Sequence, residues 1–264
     1  MIIERVVLCV GLIASPAIAE RAALTPDKVN AANDPLTPRI TLLLEDQYVG
    51  AYNEMSQDSN SNTALLRGVL PHKVLGWQQI LRVTLPIVTT PDQPQPATTG
   101  LGDLSVFDLF LFKWYSQEFG IGPMFTFPTA SEDRTGTGKW QAGAAAASIE
   151  TEGWGLFGAL VTYQHSFAGD SGRSRQSVLQ AQPFIIVNLI KGFYARSTAT
   201  WNFDLEQDTQ YIPVGVGLGK VWLLAGGATL NAFIEPQFTV AGRGVGPSWQ
   251  IFAGFNSQFP AGRP

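Results

Sequence analysis

From about residue 40 onward the chain alternates apolar and polar residues with a period of two, with almost no helical stripe or capping box. Successive side chains of a strand point to opposite faces, so such a chain must cover one face and wet the other. In the closing segment Trp249, Ile251, Ala253, Phe255 and Phe259 share one face, and Gln250, Gly254, Asn256 and Gln258 the other. Leu230, Ala232, Ile234, Pro236 and Phe238 likewise oppose Thr229, Asn231, Glu235, Gln237 and Thr239. Farther back, Phe193, Ala195, Ala199 and Trp201 oppose Arg196, Thr198, Thr200 and Asn202, while Leu179, Ala181 and Ile185 oppose Gln180 and Gln182. The polar faces carry Gln, Asn, Thr and Gly rather than Lys and Glu. That composition suits a confined wet lumen better than open solvent.

The pattern predicts twelve strands, at 40–52, 62–71, 76–87, 103–114, 118–128, 139–149, 154–165, 175–188, 192–203, 211–222, 228–240 and 248–259. The connections at 53–61, 88–102, 129–138, 166–174, 204–210 and 241–247 read as long, and those at 72–75, 115–117, 150–153, 189–191 and 223–227 as short. An even strand count with alternating long and short connections predicts a single transmembrane antiparallel β-barrel, with short periplasmic turns and long external loops. Tryptophan placement gives a second line of argument. Trp77, Trp114, Trp154 and Trp222 fall at short-turn ends, Trp140, Trp201 and Trp249 at long-loop ends, as two interfacial girdles would require. Two segments depart from the pattern. Segment 103–114 is apolar on both faces, and in 40–52 Glu45 adjoins Asp46; for each, strand or plug stays open.

Composition narrows the classes further. Charged residues make up 14%, against about a quarter in soluble domains. The 16 Phe, 7 Trp and 6 Tyr exclude disorder, and no apolar run reaches the roughly 18–20 residues of a spanning helix. A net charge of −4 with scattered cations gives no footprint for nucleic acid. Residues 1–19 read as a signal peptide, with Arg5 before an apolar core and Ala17-Ile18-Ala19 as the cleavage site. Cleavage there removes Cys9, the sole cysteine. Residues 20–39, with Pro26, Pro35 and Pro38, read as a flexible polar lead-in, 40–259 as the barrel, and 260–264 as a tail. The location expected is the bacterial outer membrane.

Chemistry-bearing motifs are few. The Gly215, Gly217, Gly219, Lys220 run and Gly136-Thr137-Gly138-Lys139 both lack phosphate-loop spacing. With His72 and His165 at opposite ends of the layout, and no cysteine after cleavage, no metal site is expected. Neither a cofactor nor catalytic residues are expected. A rim hydrolase acting on lipid, using His165 with Ser166 or Ser171, is the enzyme alternative; a structural or adhesion barrel is the third reading.

The expected function is passive passage of a small solute, aromatic or modestly hydrophobic, along a lumen lined by Arg67, Arg82, Arg196, Glu235, Gln237, Gln180, Gln182 and Asn202. Arg67 and Arg82 lie on consecutive strands; facing lipid at mid-membrane would cost about 2–4 kcal/mol each, so both should point inward. Folding their hairpin about 74–75 sets them opposite each other, with Arg196 as a third cation and Glu235 and Asp108 as candidate counter-charges. The expected partners are outer-membrane lipid, a small-molecule solute and the barrel-assembly machinery, which would read the aromatic-ended last strand at Phe259.

The motifs Gly100-Leu101-Gly102-Asp103, Phe127-Pro128-Thr129-Ala130, Gly136-Thr137-Gly138-Lys139-Trp140 and Ser166-Phe167-Ala168-Gly169-Asp170 stand in a fixed order. So do Gln182-Pro183-Phe184, Ile212-Pro213-Val214 and Gly246-Pro247-Ser248-Trp249. Over about residues 35–259 this series resembles a bacterial outer-membrane family described as transporters or as MetA-pathway of phenol degradation proteins. Ala144 departs from it, at a position that members often give to proline. The resemblance implies an outer-membrane barrel with a transport-like role and brings no catalytic residues.

Overall fold

The computed structural model describes residues 24–55, 59–92 and 95–260. The expected signal segment 1–19 and the tail beyond 260 lie outside the described residues.

Among the described residues, fifteen strands follow a short helix, α1 (Pro26–Asn33). They are β1 (Ile40–Asn53), β2 (Ser61–Val74), β3 (Trp77–Thr89), β4 (Thr99–Leu101), β5 (Leu104–Trp114), β6 (Gln117–Phe127), β7 (Lys139–Glu152) and β8 (Gly155–Gly169). There follow β9 (Ser177–Asn188), β10 (Phe193–Ser197), β11 (Trp201–Asp204), β12 (Thr209–Gly215), β13 (Gly217–Leu223), β14 (Thr229–Arg243) and β15 (Gly246–Phe259). All pairings are antiparallel, and β1 pairs β15 to close the sheet on itself. β4 is an outlying piece on β3, while β10 with β11, and β12 with β13, are two halves of single staves. The result is a closed barrel of twelve staves. Both departing segments are strands, β1 and β5.

The outer wall is apolar. Leu42, Leu66, Ile121, Phe125, Ile234 and Phe255 are among its exposed large side chains. The tryptophans cluster at strand ends, Trp77 opening β3 and Trp114 closing β5. Among the described residues no helix is long and apolar enough to cross a membrane.

Connection lengths differ from expectation in one third of the barrel. β11 and β12 are joined by residues 205–208, and β14 and β15 by Gly244 and Val245 alone. Gly244 takes φ +79, which makes a tight turn available, and Gly246 and Pro247 extend β15 instead of a loop. The long connections therefore gather over β1 to β9. There the motifs of the sequence meet: Asp103 accepts from Thr137 N and Oγ1, both at 2.7 Å, and from Ala130 N at 3.2 Å. Gly136 leaves room for that carboxylate, since a Cβ would lie 2.5 Å from Asp103 Oδ1.

The lead-in is not a free segment. Thr25-Pro26-Asp27 starts α1, with proline where its missing N–H costs nothing and an acid in the first turn. α1 lies inside the short-turn mouth against β8, β9 and β14. Val29, Asn30, Ala32 and Leu36 are buried. Asn188 Nδ2 donates to Asn30 Oδ1 at 2.7 Å, and Asn231 Nδ2 donates to Asn33 Oδ1 at 3.0 Å. Leu36 enters an apolar cluster with Ile80, Phe107, Leu109, Met124 and Ile149. This packing explains why β5 is apolar on both faces: one face belongs to the apolar exterior and the other meets Leu36. The flexible lead-in expected from the prolines is therefore corrected for residues 24–39, which form a plug.

Candidate functional site

The lumen is the candidate site. Two cavities, of about 150 and about 250 Å³, lie one above the other. The lower is floored by plug residues 32–37 and walled by Ile80, Phe107, Leu109, Phe184, Phe233 and Phe252. The upper is more polar, with Gln47, Thr162, Gln180, Thr200, Gln237 and Gln250. Arg67, Arg82, Leu160, Gln182, Thr198 and Phe252 bound both, and so form the ring where they meet.

Register explains the two arginines. The β2–β3 turn is Leu75–Gly76, both at positive φ, so Arg67 faces Thr84 and Arg82 faces Val69. Both point inward as expected, but diagonally placed rather than opposite, because the hairpin folds one residue later than the sequence suggests. Arg67 is paired with Glu45. The Glu45-Asp46 doublet is thereby explained: Glu45 faces the lumen, and Asp46 faces outward, accepting from Asn62 Nδ2 at 3.0 Å. Arg82 has no hydrogen bond or ion pair among the described residues. Its guanidinium lies 4.1 Å from the Phe107 ring centroid, and its buried Nε is unpartnered.

Arg196 is held differently. Its Nε donates to Glu235 Oε2 at 2.8 Å, and its guanidinium lies 3.6 Å over Phe233. Glu235 is fully buried and also accepts from Thr198 N at 2.8 Å and Oγ1 at 2.7 Å. Gln237 donates to Glu235 Oε1 at 3.0 Å and accepts from Gln250 at 2.6 Å. Gln180 donates to Asn202 Oδ1 at 3.1 Å, and Gln182 donates to Thr198 O at 2.9 Å. Of the eight expected lining residues, Arg67, Arg82 and Gln182 meet at the ring, Arg196 lies below it, and Gln180 and Gln237 lie above. Glu235 and Asn202 reach the lumen through those partners. Of the three inward arginines, Arg67 and Arg196 are compensated by Glu45 and Glu235, and Arg82 is left as the net positive charge at the ring.

Asp108 is corrected. It faces outward on β5, where Asp108 Oδ2 lies 3.2 Å from His72 Nε2, because β5 presents its odd positions Phe107 and Leu109 to the lumen. The counter-charge that sequence reasoning missed is Glu45, and the missing signal was Arg67 itself, which needs an anion on an adjacent strand. His165 and Ser166 do not form the expected hydrolase pair. His165 is exposed on the outer face, whereas Ser166 is buried and accepts from Gln176 N at 2.9 Å.

Fold and lumen together define a single-chain β-barrel with an apolar exterior and a polar, plugged interior. No family model and no curated protein matches the chain. Among solved structures it is similar to an outer membrane channel from Pseudomonas putida F1, with a TM-score of 0.61 and 16% identity over 86% of this chain and 99% of that one. The β domain of the Bordetella autotransporter BrkA aligns with a TM-score of 0.46 and 13% identity, over 83% of this chain and 100% of that one. The first likeness is one of fold.

Proposed function

We propose that the chain is an outer-membrane channel through which a small solute, aromatic or modestly hydrophobic, diffuses passively, with anions favoured over cations. The observation that carries this reading is the ring between the two cavities, where Arg82 presents a cation without a carboxylate partner. A solute passing there exchanges part of its hydration for the Arg82 guanidinium, the Gln182 amide and the apolar faces of Leu160 and Phe252. No covalent step is involved. A barrel of about this size has less interior room than the 16–18-stranded porins, so passage is restricted to small molecules. The similar Pseudomonas putida F1 protein is an outer membrane channel, which supports this reading.

Delivery follows from the same reading. The leader is removed at about Ala19, and the barrel-assembly machinery recognises the last strand, which ends in the outward-facing Phe259 paired with Ile40. Planar-bilayer recording combined with solute uptake by the purified protein tests the proposal. Discrete conductance steps with anion preference are expected. A barrel that never conducts, with or without the plug segment, would overturn it.

A further inference from the structure

At mid-height one stave of the barrel leaves its ladders. β10 pairs with β13 from Phe193 to Arg196, and β11 pairs with β12 from Asn202 to Asp204, in one continuous register. Between them residues 197–201 and 212–216 run past each other unpaired. The other side is open too: β9 pairs Ile185–Asn188 with β10 and Val178–Ala181 with β11, leaving Thr198–Thr200 without partners. By register Pro183 and Pro213 flank this stretch, and neither has an N–H to give.

Side chains take the place of the ladder. Thr198 N donates to Glu235 Oε1 at 2.8 Å, and Gln182 Nε2 donates to Thr198 O at 2.9 Å. Room for the carboxylate comes from Gly215 and Gly217, where a Cβ would lie 2.8 Å and 2.7 Å from Glu235 atoms. Elsewhere, parting two staves would strip backbone groups of partners that lipid cannot replace. Along this seam those ladder bonds do not exist. Thr198 and Gln182 bound both cavities on the inside, with Phe184, Phe233 and Phe252 beside them. On the outside stand the exposed Val214 and Val216. The ladder is thus interrupted along one line of the wall, with Val214 and Val216 on its outer side and Thr198, Gln182 and Glu235 on its lumen side.

We propose that the seam between β10/β11 and β12/β13 is a lateral portal, through which a small neutral apolar solute passes from the lumen into the bilayer hydrocarbon. The inference rests on the lumen being a solute path, and goes beyond it in the direction of exit. Glu235 and Gln182 act as the latch, holding Thr198 between them while the portal is shut.

The test uses cysteines at Ala199 and Val214, which oppose each other across the seam, joined as a disulfide or by a short bis-thiol reagent. Ala195 and Leu218, partners in the paired stretch, carry the control crosslink. Uptake of the fluorescent apolar probe N-phenyl-1-naphthylamine is followed in intact cells, and chloride conductance on the purified protein. The seam crosslink should slow probe uptake severalfold, reversibly with reductant, and leave conductance unchanged; the control should change neither. Unaltered uptake, uptake no faster than in cells lacking the protein, or a parallel loss of conductance would each overturn the portal. Lack of conductance in the uncrosslinked protein counts against the channel reading alone, because probe uptake still decides the portal. Hydrogen exchange on the unsubstituted protein adds a measurement free of folding effects. Amides of Ala199, Thr200 and Val216, which have no ladder partner on either side, should exchange faster than those of 193–196 and 217–220, and equal protection would also overturn the proposal.

Discussion

Arg82 stands one diagonal step from Arg67 across the β2–β3 hairpin, and of the two only Arg67 has a carboxylate, Glu45, to neutralise it. Two neighbouring guanidiniums repel, so the unpaired one holds its place through the Phe107 ring and the space of the lumen. This asymmetry separates a selective residue from a structural one.

Arg82→Ala should raise single-channel conductance or reduce anion preference, with a stability loss of no more than about 1 kcal/mol. Arg67→Ala should behave oppositely. It leaves Glu45 buried without its cation and should cost about 3–5 kcal/mol in urea unfolding. If Arg82→Ala loses stability and leaves permeation untouched, Arg82 is packing and the selectivity reading fails.

Glu235 joins four donors, two of them from Thr198 on the wall stretch that has no ladder bonds of its own. Glu235→Ala strands the Arg196 charge and the Thr198 N–H together. The expected loss is about 3–5 kcal/mol, read as a lowered unfolding midpoint. Glu235→Gln, which keeps the shape and acceptor but removes the charge, should lie in between. A midpoint unchanged in both variants would mean that water serves this stretch as well as the carboxylate does.

Cysteine accessibility checks orientation. Ser131→Cys and Ser171→Cys lie on the long connections and should react with an impermeant thiol reagent on intact cells. Ser116→Cys and Ile190→Cys lie on short turns and should react only after the outer membrane is breached. Equal labelling of the two sets is incompatible with long loops outside and short turns inside.

The strand count, the inward face of the clearly alternating strands and the inward arginines could be read from the alternation, because a barrel wall imposes period two, whereas β5, apolar on both faces, gave Asp108 the wrong side. What could not be read depends on closure. Leu36 and Val29 acquire a partner surface only once twelve staves enclose a lumen, so a short helix started by Thr25-Pro26-Asp27 looks like a loop in isolation. Glu45 beside Asp46 looks like a broken pattern until the β1–β2 register sends one to each face. The glycines and proline at 242–247 suggest a loop, yet they extend two strands around a two-residue turn. The motif glycines at 100, 102 and 136 gave a family likeness without a reason. The reason is the close packing of two long connections, β3–β5 and β6–β7, around Asp103.

Assembly should depend on the end of β15. Deleting from Gln258 onward removes Phe259 and part of the β1–β15 closure, where Thr41 faces Gln258 and Ile40 faces Phe259. Outer-membrane insertion, followed by heat-modifiable mobility, should fall sharply. Removing only residues 261–264 should be tolerated, and equal insertion of both truncations would count against recognition of the terminal strand.

The plug should respond to pH through Asp34. Its carboxylate accepts from Leu36 N at 2.8 Å and Thr37 Oγ1 at 3.1 Å, holding the turn that seats Leu36 in the lumen. Burial pushes the Asp34 carboxyl up to about 6, aided by Glu118 and opposed by the Leu36 and Thr37 hydrogen bonds and by Lys113. A withdrawn plug would return this carboxyl to the ordinary value of 3.8. The docked form therefore binds the proton more tightly, so docking is strongest below pH 3.8 and weakens as pH rises from there through about 6. Conductance at pH 7 should accordingly exceed conductance at pH 5. Asp34→Asn, neutral at both pH values, should keep the plug seated and abolish most of that difference. A pH response that survives in Asp34→Asn would place the titrating group elsewhere, and a response of opposite sign would mean that the plug does not limit flow.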